Sequence, residues 1–319
     1  MSSWLETKAD QIYRLENGRL ELLNKKTDAS EAEITLLETQ AVVSVDGENA
    51  AKFLQGQSTA DIAGLELGQS TFGAFCNNKG RVFSSFRALR TENAVLLRMS
   101  ADIAKETVSQ LEKYAVFFRV KMSVWETPSV AAASNLTAEL LGQLPNGINA
   151  MRLINDAWEF FIEPGCASNF LDHLIDQVEF SDESRWHTEQ IFAGNTNINQ
   201  CTAGTYLPHQ LNMDKSGAVS FKKGCYTGQE IVARTEYRGQ TKRRVFAVSL
   251  DATPPDEVHF NLTTTEAPDK SLEVLDRGSK YGKLVTSVFL PVDFPKSGSL
   301  LLNDKETNYQ IAPLPFSLD

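Results

Sequence analysis

Apolar and polar positions alternate along residues 33–47, "EITLLETQAVVSVDG", which predicts a strand pair or hairpin edge closing in an Asp46-Gly47 turn. "ENAAKFLQGQSTADI" then predicts a short helix that stops near Gly56 or Ser58. In "AVLLRMSADIAKETVSQLEKYAVFFRVKMSVW" a strand from Ala94 to Met99 leads to Ser100 as helix N-cap. The helix that follows carries Ile103, Thr107 and Leu111 on one face, and a second strand runs from about Phe117 to Trp125. "AWEFFIEP" repeats the apolar strand, and "GCASNFLDHLIDQVEF" the turn, helix and strand start. This weak internal echo suggests two related α+β halves. Beyond Arg244 only short strand-like runs remain, from "RRVFAVSL" to "NYQIAPLP", punctuated by Gly, Pro and Asp. They predict a small β-barrel or sandwich, with a boundary near residue 240.

Composition narrows the class. The chain has 319 residues, 42% of them hydrophobic and 23% charged, a normal globular balance that calls for two or three domains. No apolar stretch approaches the ~20 residues of a membrane span. The N-terminus lacks the basic and apolar blocks of a signal peptide, so a cytoplasmic protein with no membrane partner is expected. Cys76, Cys166, Cys201 and Cys225 lie far apart with no C-x-x-C, which argues against a zinc, cluster or disulfide framework. The net charge of -10 argues against indiscriminate binding to nucleic acid. Against that background, the basic run from Lys222 to Arg244 stands out.

Within that run, "FKKGCYTGQEIVART" sets Cys225 between Gly224 and Gly228, just after Lys222 and Lys223. Thr227-Gly228-Gln229-Glu230 fits a capping box, with Ile231, Val232 and Ala233 facing inward on the helix it would open. A thiol two residues before such a cap feels the helix dipole and the lysines, both of which favour a thiolate. The glycines suit a turn that faces a ligand. A glycine-rich connector with an incidental cysteine, and a solvated basic face, are the plainer alternatives.

"KKGCYTGQE" resembles the signature of the YgfZ family, folate-binding proteins related to the glycine-cleavage T-protein. The stretch "TYLPHQLNMDKSGAVSFKKGCYTGQEIVARTEYRGQTKRR", the segments "VDGENAAKFLQGQSTADI" and "AFCNNKGRVFSSFRALR", and "LEKYAVFFRVKM" extend the likeness over roughly residues 35 to 315. The resemblance implies an α+β protein with two related halves around a central folate cavity and a small C-terminal antiparallel β-barrel. Its parts would be an N-terminal segment (1–30), a first half (31–125), a second half carrying the signature (126–240) and the barrel (241–319). The implied ligand is tetrahydrofolate or a one-carbon derivative, polyglutamylated forms included. The implied role is support of iron–sulfur cluster enzymes, tRNA-modifying ones among them, with an indirect link to tRNA and a monomeric state.

By the same resemblance Cys225 is the functional thiol, and Trp186 in "RWHTEQIFAG" is a folate contact. Lys222, Lys223, Gly224, Tyr226, Gly228, Gln229, Glu230 and Arg234 are motif or anion contacts. Gln40 stands where a second folate-contacting tryptophan is expected, and Phe192 where an acid would meet pterin N–H donors, with Glu189 nearby but out of register. Ser84 and Ser85 replace the T-protein acids and offer no carboxylate for aminomethyl transfer. A one-carbon (aminomethyl or formyl) transferase is therefore the alternative function. The basic run could meet a polyglutamate tail or tRNA; the acidic remainder of the chain favours the tail. Asn77, Lys79 and Arg81 could line a cavity or simply form a polar turn. A triad of Cys225, His209 and Asp214 is disfavoured, because lone histidines are usually structural.

Overall fold

The computed structural model describes residues 13–16, 19–22, 32–125, 129–153, 157–174, 177–255 and 260–318. The chain divides into two compact units. Met1–Gln57, Asp61–Phe72 and Phe86–Glu183 form one; Ser58–Ala60, Gly73–Ser85 and Ser184–Asp319 form the other.

Up to Ser181 the elements are β1 (Tyr13–Glu16), β2 (Arg19–Leu22), β3 (Glu33–Leu36), β4 (Gln40–Asp46), α1 (Ala50–Gln57), β5 (Ser70–Cys76), β6 (Val82–Arg90), β7 (Ala94–Ser100), α2 (Ala101–Phe118), β8 (Lys121–Val124), β9 (Val130–Ser134), α3 (Ala138–Gly142), β10 (Ile148–Arg152), β11 (Trp158–Ile162), α4 (Ala167–Leu174) and β12 (Glu179–Ser181). β1 and β2 pair as an antiparallel hairpin. Two five-stranded sheets follow, ordered β5-β6-β7-β4-β8 and β10-β11-β9-β3-β12. Every residue of β7 is buried, as befits a central strand covered on both faces. α2 buries Ile103, Ala104, Thr107, Leu111 and Ala115, the stripe that its period predicts.

Two expectations are corrected here. β3 and β4 are both strands, yet they do not pair with each other. β3 pairs with β9 and β12, while β4 pairs with β7 and β8. The strand expected from Phe117 begins only at Lys121, because α2 continues through Phe118 and ends on Arg119 in the left-handed conformation. The apolar pair Phe117-Phe118 reads as a strand start, whereas the helix simply presents Phe117 to solvent.

The first unit also holds a buried charge cluster. Arg87 of β6 lies directly opposite Arg98 of β7 in the ladder, a like-charge pairing that is unfavourable alone. Glu159 of β11, fully buried, answers it: Arg98 donates from Nε at 3.2 Å and Nη2 at 3.1 Å, and Arg87 Nε lies 3.7 Å away. Burial pulls the Arg87 guanidinium below its ordinary range, Glu159 pushes it back up, and Arg98 lowers it again.

The second unit continues with α5 (Glu183–Phe192, nearly all of it here), a 3-10 turn (Pro208–Leu211), α6 (Gln229–Arg238), β13 (Arg243–Leu250), β14 (Leu262–Thr264), β15 (Ala267–Ser271), β16 (Glu273–Lys280), β17 (Lys283–Pro291), β18 (Ser297–Leu302) and β19 (Lys305–Ile311). These seven strands form one antiparallel sheet ordered β15-β14-β18-β19-β13-β17-β16. Its core is Phe246, Val248, Leu262, Leu284, Val288, Leu300 and their neighbours. The whole is therefore a mixed α+β protein of several sheets. Among the described residues no helix is long and apolar enough to cross a membrane.

Candidate functional site

The signature occupies the turn before α6, and its cap differs from the one that the sequence predicts. α6 starts at Gln229, and Gly228, not Thr227, is the N-cap, with φ 82° and no side-chain cap bond. A Cβ on Gly228 would stand 2.4 Å from the Asn77 carbonyl oxygen and 3.0 Å from the Gly80 Cα. The cap position thus demands both a left-handed backbone and no side chain, which excludes threonine. Gln229 replaces the capping box: its side-chain oxygen accepts from Tyr226 N at 3.3 Å, and its own N–H donates to the Tyr226 carbonyl at 3.2 Å. Of the three residues expected to face inward, Val232 is fully buried, while Ile231 and Ala233 are only partly so.

The signature residues sort into two sets. Lys223 extends its ammonium to the carbonyls of Ser58 at 2.6 Å and Ala60 at 2.9 Å, and lies 5.0 Å over the Tyr226 ring. Tyr226 is buried, and burial together with the neighbouring Cys76 raises its phenol pKa well above the ordinary value. Cys76 beneath it is pushed up to about 12 by burial. Lys223, Tyr226, Gly228 and Gln229 therefore fix the turn. Lys222, Gly224, Cys225, Glu230 and Arg234 face solvent, and Cys225 is a free thiol.

The partner of this turn is "CNNKGR". Asn77 Oδ1 accepts from the backbone of Lys79 at 2.9 Å and of Arg81 at 3.1 Å, closing the β5–β6 turn. Gly80, with φ 70°, packs against Ile231 so closely that a Cβ would lie 2.8 Å from the Ile231 Cβ. Arg81 donates to the Thr205 carbonyl. Asn77, Lys79 and Arg81 thus build a polar turn, and the turn seats the signature.

His209 and Asp214 have partners other than a thiol. His209 Nε2 lies 3.0 Å from Glu236 Oε2, and both oxygens of Asp214 accept from Arg244 at 2.9 Å. Arg244 also donates to the His209 carbonyl at 2.6 Å. The polar atoms of His209, Asp214 and Glu236 lie within 4.8 Å of one another, a metal-like spacing. The Arg244 guanidinium already pairs with both oxygens of Asp214, and its positive charge disfavours a cation there.

Trp186 is buried on α5, edge-on to His187 at 5.1 Å, and His187 Nδ1 lies 3.1 Å from Asp276. Phe192 packs with the Ile191, Ala247 and Val285 cluster under Lys280, whose Nζ stands 5.2 Å from the ring centroid. Glu189 is exposed and lies 3.8 Å from the same Lys280. Gln40, in the first unit, is wholly buried: its side-chain oxygen accepts from Arg98 at 3.0 Å and its amide donates to Thr39 at 3.2 Å. Ser84 and Ser85 are wholly buried; Ser85 Oγ accepts from Ile198 N at 2.9 Å and donates to the Thr196 carbonyl at 3.3 Å. The sequence assigns no site role to Glu159, Glu236 or Asp276. Glu159 carried a signal, a lone acid inside the apolar strand "AWEFFIEP".

No family model matches the chain. Over 307 residues it is 29% identical to a protein of Photobacterium profundum named tRNA-modifying protein YgfZ, covering 89% of this chain and 91% of that one. A protein of the same name from Escherichia fergusonii is 28% identical over 302 residues, covering 89% and 93%. Among solved structures, glycine cleavage system aminomethyltransferase T from Bartonella henselae matches with a TM-score of 0.70 at 18% identity, over 91% of this chain and 87% of that one. At that identity the likeness is one of fold. The resemblance read from the signature and its flanking segments is thus borne out along nine-tenths of the chain, which is similar to the YgfZ proteins in sequence and to aminomethyltransferase T in fold.

Proposed function

We propose that this protein binds a tetrahydrofolate and acts in tRNA modification by supporting iron–sulfur enzymes. The observation that carries the reading is the division within the signature. Lys223, Tyr226 and Gly228 hold the turn, while Lys222, Cys225 and Arg234 are presented outward. A core cysteine needs no such mounting; a thiol that meets a partner does. The likeness to proteins named tRNA-modifying protein YgfZ supplies the functional direction. The residues present fit a folate in part. Trp186 supplies a buried aromatic ring, and Lys222 and Arg234 offer cations for its glutamate tail, whereas Phe192 supplies no acceptor for pterin N–H groups. In this reading residues 31–125 and 126–240 are two related halves, and the seven-stranded sheet is a curled C-terminal barrel.

The fold alone favours a one-carbon transferase as the second reading. Ser84 and Ser85 weigh against it, being buried hydroxyls where transfer chemistry would call for a carboxylate. Titration calorimetry with tetrahydrofolate tests the main reading. The wild type is expected to bind, and a folded Trp186→Ala variant to bind about ten-fold more weakly, or ~1.4 kcal/mol. Equal affinity for both, or binding by neither, removes the folate site. Turnover of methylene- or formyl-tetrahydrofolate would favour the transferase instead.

A further inference from the structure

The second unit contains a cleft of about 720 Å³ that no signature residue before α6, and no part of α5, lines. Its size falls within the range of small-molecule sites. One wall is apolar, formed by Phe246 of β13, Ile311 of β19, and Leu314 and Phe316 of the segment after it. That segment is anchored: Ala312 N donates to the Ala247 carbonyl at 2.8 Å, and Phe316 packs onto Gly194, where a Cβ would stand 2.6 Å from Cζ.

The charged part of the lining carries more positive than negative charge: Lys215, Lys242, Lys296 and Arg244 against Asp214 and Glu236. Both carboxylates are already answered, Asp214 by Arg244 and Glu236 by His209. Lys242 and Lys296 are exposed and make no ion pair among the described residues. His209, only 2% exposed, keeps Nδ1 without a hydrogen-bond partner among the described residues. On a chain of net charge -10, such a positive rim beside an aromatic wall is a local reversal of sign.

We propose that this cleft binds a small organic anion with an apolar body, an aromatic or alkyl carboxylate or its phosphate counterpart. The body lies on Phe246 and Phe316, and the anionic head meets Lys242 and Lys296. A metal ion is the competing occupant for the His209, Asp214 and Glu236 group, and the Arg244 guanidinium among them opposes it. The proposal does not depend on the folate reading, since none of the residues invoked there lines this cleft.

The test pairs 2-naphthoate with its neutral isostere 2-naphthamide in calorimetric titrations of the full chain, with 2-naphthyl phosphate as a third arm. Wild type is expected to bind the carboxylate at least about ten-fold more tightly than the amide, and the phosphate at least as well as the carboxylate. In the Lys242→Met/Lys296→Met variant, where both changes are at exposed side chains, that preference falls to about one. Phe316→Ala weakens both carboxylate and amide together. Equal binding of carboxylate and amide by the wild type, no saturable binding, or a preference retained in the double variant overturns the proposal. Zn²⁺ bound with His209-dependent affinity and no naphthoate binding would overturn it in favour of a metal.

Discussion

Two glycines four residues apart in the signature do different work. Gly228 is held at positive φ against the Asn77 carbonyl and the Gly80 Cα, whereas a Cβ on Gly224 would meet nothing within 4 Å. Gly228→Ala is therefore expected to cost about 2 kcal/mol or more, and Gly224→Ala to stay within about 0.5 kcal/mol, by urea denaturation. Equal effects would mean that the turn is not seated on "CNNKGR". Cys76 supplies a second expectation at this scale. Its folded-state value of about 12 exceeds the ordinary 9.0, so above pH 9 the unfolded chain loses a proton that the folded chain retains. Its contribution is constant below about pH 9 and declines as pH rises from there towards 12. A folded Cys76→Ala variant should show a flatter alkaline fall in denaturant midpoint than wild type between pH 8 and 10.5. At pH 8 an alkylating reagent should label the exposed Cys225 and Cys201 in the native protein and spare Cys76 until the chain unfolds, as read by mass spectrometry.

Among the elements, the ladder of β6 and β7 depends on a residue of another sheet. Glu159→Gln leaves Arg87 and Arg98 facing each other without a counter-charge, and a loss of about 3–5 kcal/mol is expected in chemical denaturation. A loss under 1 kcal/mol would show that water already screens the pair. Local pattern served well where an element buries one stripe. The α2 face is readable because each side chain's fate follows from its own period, and the strand expected from Ala94 to Met99 because it is a mostly apolar run, the mark of a strand covered on both faces. It failed where a distant partner decides. β3 and β4 look like a hairpin because they are adjacent in sequence, but their hydrogen bonds go to β9, β12, β7 and β8. The cap of α6 moved by one residue for the same reason, since the Asn77 carbonyl that excludes a side chain is invisible locally. In the candidate site, the sequence does not show which residues of the signature hold the turn and which point outward. Lys222 and Lys223 are equivalent as letters, and only the carbonyls of Ser58 and Ala60 distinguish them.

For the molecule as a whole, charge sets the terms on which tRNA can be met. With a net charge of -10, the protein repels a long polyanion except at local basic patches. Direct binding of bulk tRNA should be no tighter than the non-specific range of ~10⁻⁴–10⁻⁶ M at physiological salt, by mobility shift or filter binding. Nanomolar affinity there would replace the proposed indirect role with direct recognition.

The second unit is assembled from pieces that the ribosome delivers far apart. Lys223 fastens to carbonyls 165 and 163 positions earlier in the chain, and residues 58–60 and 73–85 belong to the same unit as residues 184–319. During synthesis the "CNNKGR" turn emerges early and must wait for its seat to be filled, while the thiol turn cannot take its final shape until both are present. A fragment begun at residue 184 would contain the entire signature and still lack the ground on which it stands. Cysteine chemistry measured on such a fragment would describe a different thiol.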